Sequence, residues 1–195
     1  MIGIPLGWLY ANAGEWIIHK HVLHGLGRKK SSFWAFHWHE HHRESRRHDM
    51  KDDQYKRSLL KWGPQSKEMV SLIGAAVAHA PLFPVAPFFT GTLWYCIWKY
   101  YRVHKRAHLD PDWARENLPW HVDHHMGRNQ NQNWCVTHPF FDYVMGTRKR
   151  YVGSKEERED LDKRRARPAP AAPVAAPEEP LDEGEDERNV APAVA

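Results

Sequence analysis

The sequence predicts an all-α protein: a membrane-associated helical bundle with a short Pro-broken membrane hairpin and a His-lined metal site on the cytoplasmic side. Three observations predict it. The 195 residues include 15 histidines, most of them in clusters with helical spacing. Residues 69–98 contain no Asp, Glu, Lys or Arg, and Pro81, Pro84 and Pro87 interrupt them. Basic residues flank the apolar stretches on both sides. The length suits one main domain, placed over residues 1–152, followed by a charged helix or linker at 153–167 and a tail at 168–195.

Mean hydropathy is −0.74, because a polar tail and dense His/Arg segments dilute the apolar run. Residues 1–152 carry 21 basic and 12 acidic side chains, whereas 153–195 carry 7 and 12. A basic body suits nucleic acid or anionic lipid. Here the basic residues border apolar runs and form no nucleic-acid-binding motif, so a membrane partner is expected and nucleic acid is not. Cys96 and Cys135 form no C-x2-C pair, which leaves no case for a zinc ribbon, a redox dithiol or a disulfide framework. The N-terminus has no basic n-region and no small-residue cleavage site, so no signal peptide is expected.

Residues 1–14 are apolar and uncharged but too short to span a bilayer, which takes about 20 residues. They predict an interfacial helix or the shortened end of a membrane helix. Gly25, Gly27 and the basic cluster at 28–30 end it. Residues 31–62 mix aromatic, His and Arg residues, and the basic part at 43–61 is expected in water. Prolines inside the 69–98 run break a helix, giving two halves of about a dozen residues. The positive-inside tendency places all the flanking basic clusters in the cytoplasm, which requires the run to return to its starting side as a hairpin. A single kinked span and a buried hairpin of a soluble protein are the competing readings. Trp94, Trp98, Tyr100 and Tyr101 suit an interfacial aromatic belt. Residues 154–167 alternate in charge as a solvated helix does, and the Pro/Ala/Glu-rich stretch from 168 predicts disorder.

Four histidine clusters carry the chemistry. They are Glu15-Trp-Ile-Ile-His19-Lys-His21-Val-Leu-His24, His37-Trp-His39-Glu40-His41-His42, His104-Lys-Arg-Ala-His108 and His121-Val-Asp123-His124-His125. On a helix, positions i, i+3 and i+4 share a face. His104 with His108, and His121 with His124 and His125, meet that rule. His37 and His41 do too, with His42 a step further round. His19 and His24 are five apart, about 140° on an ideal helix. That geometry favours His21 with His24, or Glu15 with His19, unless the pair serves two metals or a loosened helix end. Burying many imidazoles without partners is costly, and a bound metal removes the cost.

The ordered spacing His-x4-His, His-x3-His-His, His-x3-His, His-x2-His-His resembles the fatty acid hydroxylase/sterol desaturase superfamily. The stretch from Asn133 through Asp142 to Gly146-Thr147 is similar to that family's closing segment, and His19-Lys20 through His24-Gly25 resembles its small bacterial carotenoid hydroxylases. The resemblance covers roughly residues 10–150. It implies two iron ions held by His19, His24, His37, His41, His42, His104, His108, His121, His124 and His125, with dioxygen as co-substrate. It implies an oxidoreductase that hydroxylates or desaturates a lipid, whether fatty acyl, sterol or carotenoid. Whether His37 or His39 is the ligand stays open, and His21, His39, His48, His79 and His138 match no box position. No heme-binding segment of cytochrome b5 type is present, so a separate electron donor of ferredoxin or cytochrome b5 type is expected. Glu15, Glu40, Asp123 and Asp142 are candidate partners for the ligand rings, and Asn133 for a ligand or a turn. A non-catalytic metal-binding membrane protein is the alternative function.

Overall fold

The computed structural model describes residues 2–166, and all regular structure among them is helical. The expectation of disorder from residue 168 lies outside the described residues.

The first helix, α1 (Gly3–Ile17), passes without a break into a π-helix, Ile18–Gly25, and ends in a 3-10 turn, Leu26–Arg28. It lies along α4 (Pro87–Leu109). Gly3 and Gly7, one turn apart, set the spacing. A Cβ on Gly7 would stand 2.7 Å from the Phe89 carbonyl oxygen, and one on Gly3 would stand 2.8 Å from the Phe89 nitrogen. Small residues at this interval let two helix backbones approach closely.

A π turn at His37–His42 runs into α2 (Arg43–Arg47). Next comes α3 (Pro64–His79), with Pro at its first position, where the missing N–H costs nothing. Pro81 denies α3 a further turn, and the chain reverses through Ala80–Leu82 before Pro87 starts α4. Trp94 Nε1 donates to the Ala76 carbonyl at 3.0 Å, and Phe83 stacks on Trp94 with centroids 5.3 Å apart. The apolar run is therefore a helical hairpin and not one kinked helix. Its second arm continues past the apolar residues: α4 has 23 residues and carries His104 and His108 near its far end. Among the described residues, no helix is long and apolar enough to cross a membrane.

Of the four aromatic residues expected in a belt, only Trp98 is an exposed one. Trp94 closes the hairpin, Tyr100 lines a cavity, and the Tyr101 hydroxyl lies 2.7 Å from the Gln65 side-chain amide.

Short helices α5 (Pro111–Asn117), α6 (Pro119–Met126) and α7 (Phe140–Val144) follow. The charged segment is a helix, α8 (Lys155–Arg165), capped by the Ser154 hydroxyl on the Glu157 nitrogen at 3.2 Å. It is docked through Arg115 to Glu157 and through Arg128 to Glu159 and Asp160 at 2.9 and 2.8 Å.

The segment at 43–61, expected in water, folds partly inward. Met50, Asp52 and Tyr55 are at most 1% exposed. Met50 belongs to an apolar cluster with Ala107, Ala114, Leu118, Val122, Met126 and Tyr151. A smaller cluster joins Trp16, Trp134 and Cys135. Much of the remaining interior is imidazole.

Candidate metal centre

All ten histidines of the four boxes are buried, none more than 3% exposed. They gather in two groups. His19, His24, His37, His42 and His124 place ring nitrogens within 4.8 Å of one another, and His41, His104, His108 and His125 do the same. His121 stands beside the second group, its Nε2 3.1 Å from that of His108. The groups adjoin, since the rings of His42 and His125 stack with centroids 4.3 Å apart.

Helix type decides this sorting. A π-helix bonds i to i+5. His19 and His24 lie on one π turn and His37 and His42 on another, so each five-residue pair shares a face and enters the first group. His41 then points to the second group. The α-spaced pairs His104/His108 and His121/His125 both face that second group. The i, i+4 expectation for His37 with His41 therefore fails, as do the pairings of His21 with His24 and of Glu15 with His19. His39 lies outside both groups, with Nε2 2.9 Å from the Arg28 carbonyl oxygen. His21, His48, His79 and His138 are also outside, against Trp16, Glu44, Tyr10 and Trp8 respectively.

The protein fixes the tautomer of five rings. Nδ1 of His19 lies 2.6 Å from the Trp134 carbonyl oxygen, that of His124 2.6 Å from Gln132 O, and that of His108 2.8 Å from Met50 O. Nδ1 of His41 lies 2.9 Å from an Asp52 carboxylate oxygen, and that of His104 2.8 Å from Glu68. Carbonyls and carboxylates only accept, so each Nδ1 donates and each neutral ring has a bare Nε2. Those Nε2 lone pairs point inward. In the first group Nε2···Nε2 separations are 3.0 Å for His19–His37 and His24–His42, 3.1 Å for His37–His42, and 3.2 Å from His124 to His24 and His42. Two nitrogens about 2.1 Å from a shared ion and at right angles stand about 3.0 Å apart. In the second group, Nε2 of His41, His104 and His125 are buried with no protein partner. The bare lone pairs of His19 and His124 aim into the first group and those of His41, His104 and His108 into the second, and a cation in each group removes the cost of burying them unpartnered. The donor set therefore fits a pair of metal ions that accept imidazole.

Burial pushes nine of the ten imidazolium pKa values down, and the neighbouring rings push them further. His24 falls to about 2 and His124 to about 4. Neutral imidazole, the metal-binding form, is thus the form the fold holds at neutral pH.

The carboxylates and the amide named from sequence do not meet the rings. Glu15 accepts from the backbone of Val136 and Thr137, both at 2.9 Å. Asp142 accepts from the backbone of Trp134 and Cys135 at 2.7 and 2.8 Å. Asp123 accepts from the Tyr151 and Val152 nitrogens at 2.8 and 2.6 Å and pairs with Arg148 at 2.7 Å. Asn133, in the left-handed region at φ 58°, bridges to the Lys149 backbone. Glu40 lies 3.6 Å from Lys67. Glu15, Asn133 and Asp142 hold the loop whose carbonyls orient His19 and His124, so they act one step further out than expected. The direct partners Asp52 and Glu68 were missed. Both look like solvated charges in the sequence, and no spacing ties either to a box. Replacing Asp52 by Asn keeps an acceptor but removes the charge. It is expected to weaken metal binding at least tenfold in competition with a chelating indicator. An affinity within twofold of the unaltered chain would contradict the role assigned to Asp52.

A cavity of about 240 Å³ opens onto both groups, touching His19 and His37 of the first and His104 of the second. Its other walls come mostly from α1, α3 and α4, and include Ala11, Ile18, Leu72, Ala75, Leu93 and Tyr100. Tyr10 and His79 also line it. His79 Nδ1 donates to the Ala75 carbonyl at 2.8 Å, so its Nε2 accepts from the Tyr10 hydroxyl at 2.9 Å. Comparison of the chain with family models, with curated proteins and with solved structures finds no match.

Proposed function

We propose that this chain oxidises an unactivated C–H bond of a lipid with dioxygen at a pair of histidine-held iron ions. One observation carries the reading: two adjoining groups of buried imidazoles, five of the rings held in fixed tautomers, meet an apolar cavity at His19, His37 and His104. The iron comes from the family resemblance, and imidazole suits it.

In this reading His19, His24, His37, His42 and His124 hold one ion, and His41, His104, His108 and His125, with His121 beside them, hold the other. Bound iron would supply the reduction of dioxygen, with two electrons from a separate donor and two protons. Hydroxylation returns one oxygen atom to carbon and one to water, whereas desaturation sends both to water. The residues of this chain do the rest. Trp134 O, Gln132 O, Met50 O, Asp52 and Glu68 keep five rings oriented, so no reorganisation is needed when charge changes at the site. Ala11, Leu72, Ala75 and Leu93 seat a hydrocarbon and keep water away from the reacting carbon.

Exposed apolar residues support a membrane setting for this reading. Val77, Val85 and Phe88 on the hairpin are 65%, 81% and 57% exposed, and Ile2 on the neighbouring end of the chain is 77% exposed. Apolar patches of this kind suit insertion into one leaflet without crossing it. The basic residues bordering them would then put the histidine site on the cytoplasmic side.

The test is oxygen consumption by the iron-loaded protein with a reductant, together with lipid extracts from cells with and without the gene. A lipid heavier by one oxygen atom or lighter by two hydrogens is expected. Ala75→Phe, which fills the cavity, is expected to lower product formation at least tenfold while leaving metal content unchanged. Equal lipid profiles with and without the gene would refute the proposal.

A further inference from the structure

We infer that the groove bounded by Trp38, His39, Arg43, Arg46 and Gln130 is the docking surface for the electron donor, and that the donor is a small acidic redox protein. The inference rests on the proposed oxidase reading, which requires electrons from outside the chain.

The cavity and the groove both reach the first histidine group, and they share no residue. The apolar cavity touches His19 and His37, whereas the groove, of about 250 Å³, touches His42. The Gln130 side-chain amide lies 2.8 Å from His42 Nδ1 on the groove side. Trp38 forms one wall. Its ring centroid is 4.9 Å from that of His24 and 5.5 Å from that of His42, the latter at a tilt of 31°. The Arg28 guanidinium covers the same indole at 4.8 Å. One aromatic side chain thus links a basic surface to two rings of the group by direct contact.

The charge of the groove selects the partner. Arg43 and Arg46 line it, Arg28 borders it, and no carboxylate is among its lining residues. Arg46 is committed inward, donating to the His125 and Gly127 carbonyls at 2.7 and 2.8 Å. Arg43 is exposed. A lipid headgroup is the other anion that a basic surface can take. The groove lining has no aliphatic side chain and includes none of the exposed apolar residues of the hairpin, which favours a protein. Complementary charge around an exposed redox contact raises the association rate and makes it salt-dependent.

The probe is an acidic plant-type [2Fe–2S] ferredoxin titrated into the full, iron-loaded chain, with binding measured by calorimetry. Binding is expected at about 50 mM salt and to weaken at least tenfold by about 300 mM, where the Debye length is much shorter. Arg43→Glu is expected to weaken binding at least tenfold at low salt, and Arg43→Lys to restore most of it. Oxygen consumption driven by reduced ferredoxin should fall in parallel, while that driven by dithionite should not change. Unchanged ferredoxin affinity in Arg43→Glu would overturn the inference. So would a loss confined to phosphatidylserine-containing vesicles, which would assign the groove to lipid headgroups. If Arg43→Glu abolishes salt-dependent ferredoxin binding but dithionite drives no oxygen consumption, the docking surface stands and the oxidase reading falls.

Discussion

Replacing His124 and His125 together with alanine is expected to reduce oxygen consumption to the level without protein and to lower bound metal from about two ions per chain to below one. The two residues are neighbours in sequence but serve different groups: His124 belongs with His19, His24, His37 and His42, and His125 with His41, His104 and His108. One double substitution therefore removes a proposed ligand from each group. It leaves the apolar hairpin intact, so membrane association, read by sedimentation with vesicles, should not change. The loss is expected to be close to complete, because an ion held by fewer rings no longer has its coordination fixed. Activity surviving in this variant would show that the ligand assignment is wrong.

Acid is expected to unfold the metal-free chain. Nine of the buried histidines have imidazolium pKa values pushed below their ordinary value, by burial first and by neighbouring rings second. The unfolded chain, with pKa values near 6.5, then binds more protons than the folded one. Stability therefore rises with pH through this range, is complete above about pH 6.5, and falls as the pH drops toward the folded values. Each histidine that stays neutral in the fold costs about 1 kcal/mol more at pH 5.5 than at pH 6.5. Summed over several such groups, the cost becomes comparable with the whole stability of an ordinary domain, about 5–15 kcal/mol. Circular dichroism should show helix loss between about pH 6.5 and pH 5. Bound metal should move that transition to lower pH, since protons and metal compete for the same nitrogens. A metal-free chain equally stable at pH 7.5 and pH 5 would contradict the burial of these rings.

Several features of this fold were legible in the sequence, and for physical reasons. The hairpin could be read because an uncharged run with Pro81, Pro84 and Pro87 in its middle has few ways to fold, and α3 and α4 do reverse there. The ten clustered histidines could be picked out because so many imidazoles at helical intervals need a shared task, and all ten are buried together. Their sorting was not legible. It depends on π turns at Ile18–Gly25 and His37–His42, and an α-helical ruler assigns His41 and His42 to the wrong sides. The ring partners were equally hidden. Three are backbone carbonyls, which carry no residue signature, and Asp52 and Glu68 sit in polar surroundings along the chain. The burial of Met50, Asp52 and Tyr55 comes from tertiary contact beneath His41 and His108, which local composition does not report.

X-ray absorption together with elemental analysis of the purified protein bears most directly on the proposed two-ion centre. About two iron ions per chain are expected, each with a nitrogen shell near 2.1 Å and the outer-shell scattering of imidazole rings. A folded protein that takes up less than about a fifth of an ion per chain from excess ferrous iron, or binds it through oxygen ligands alone, would contradict the account.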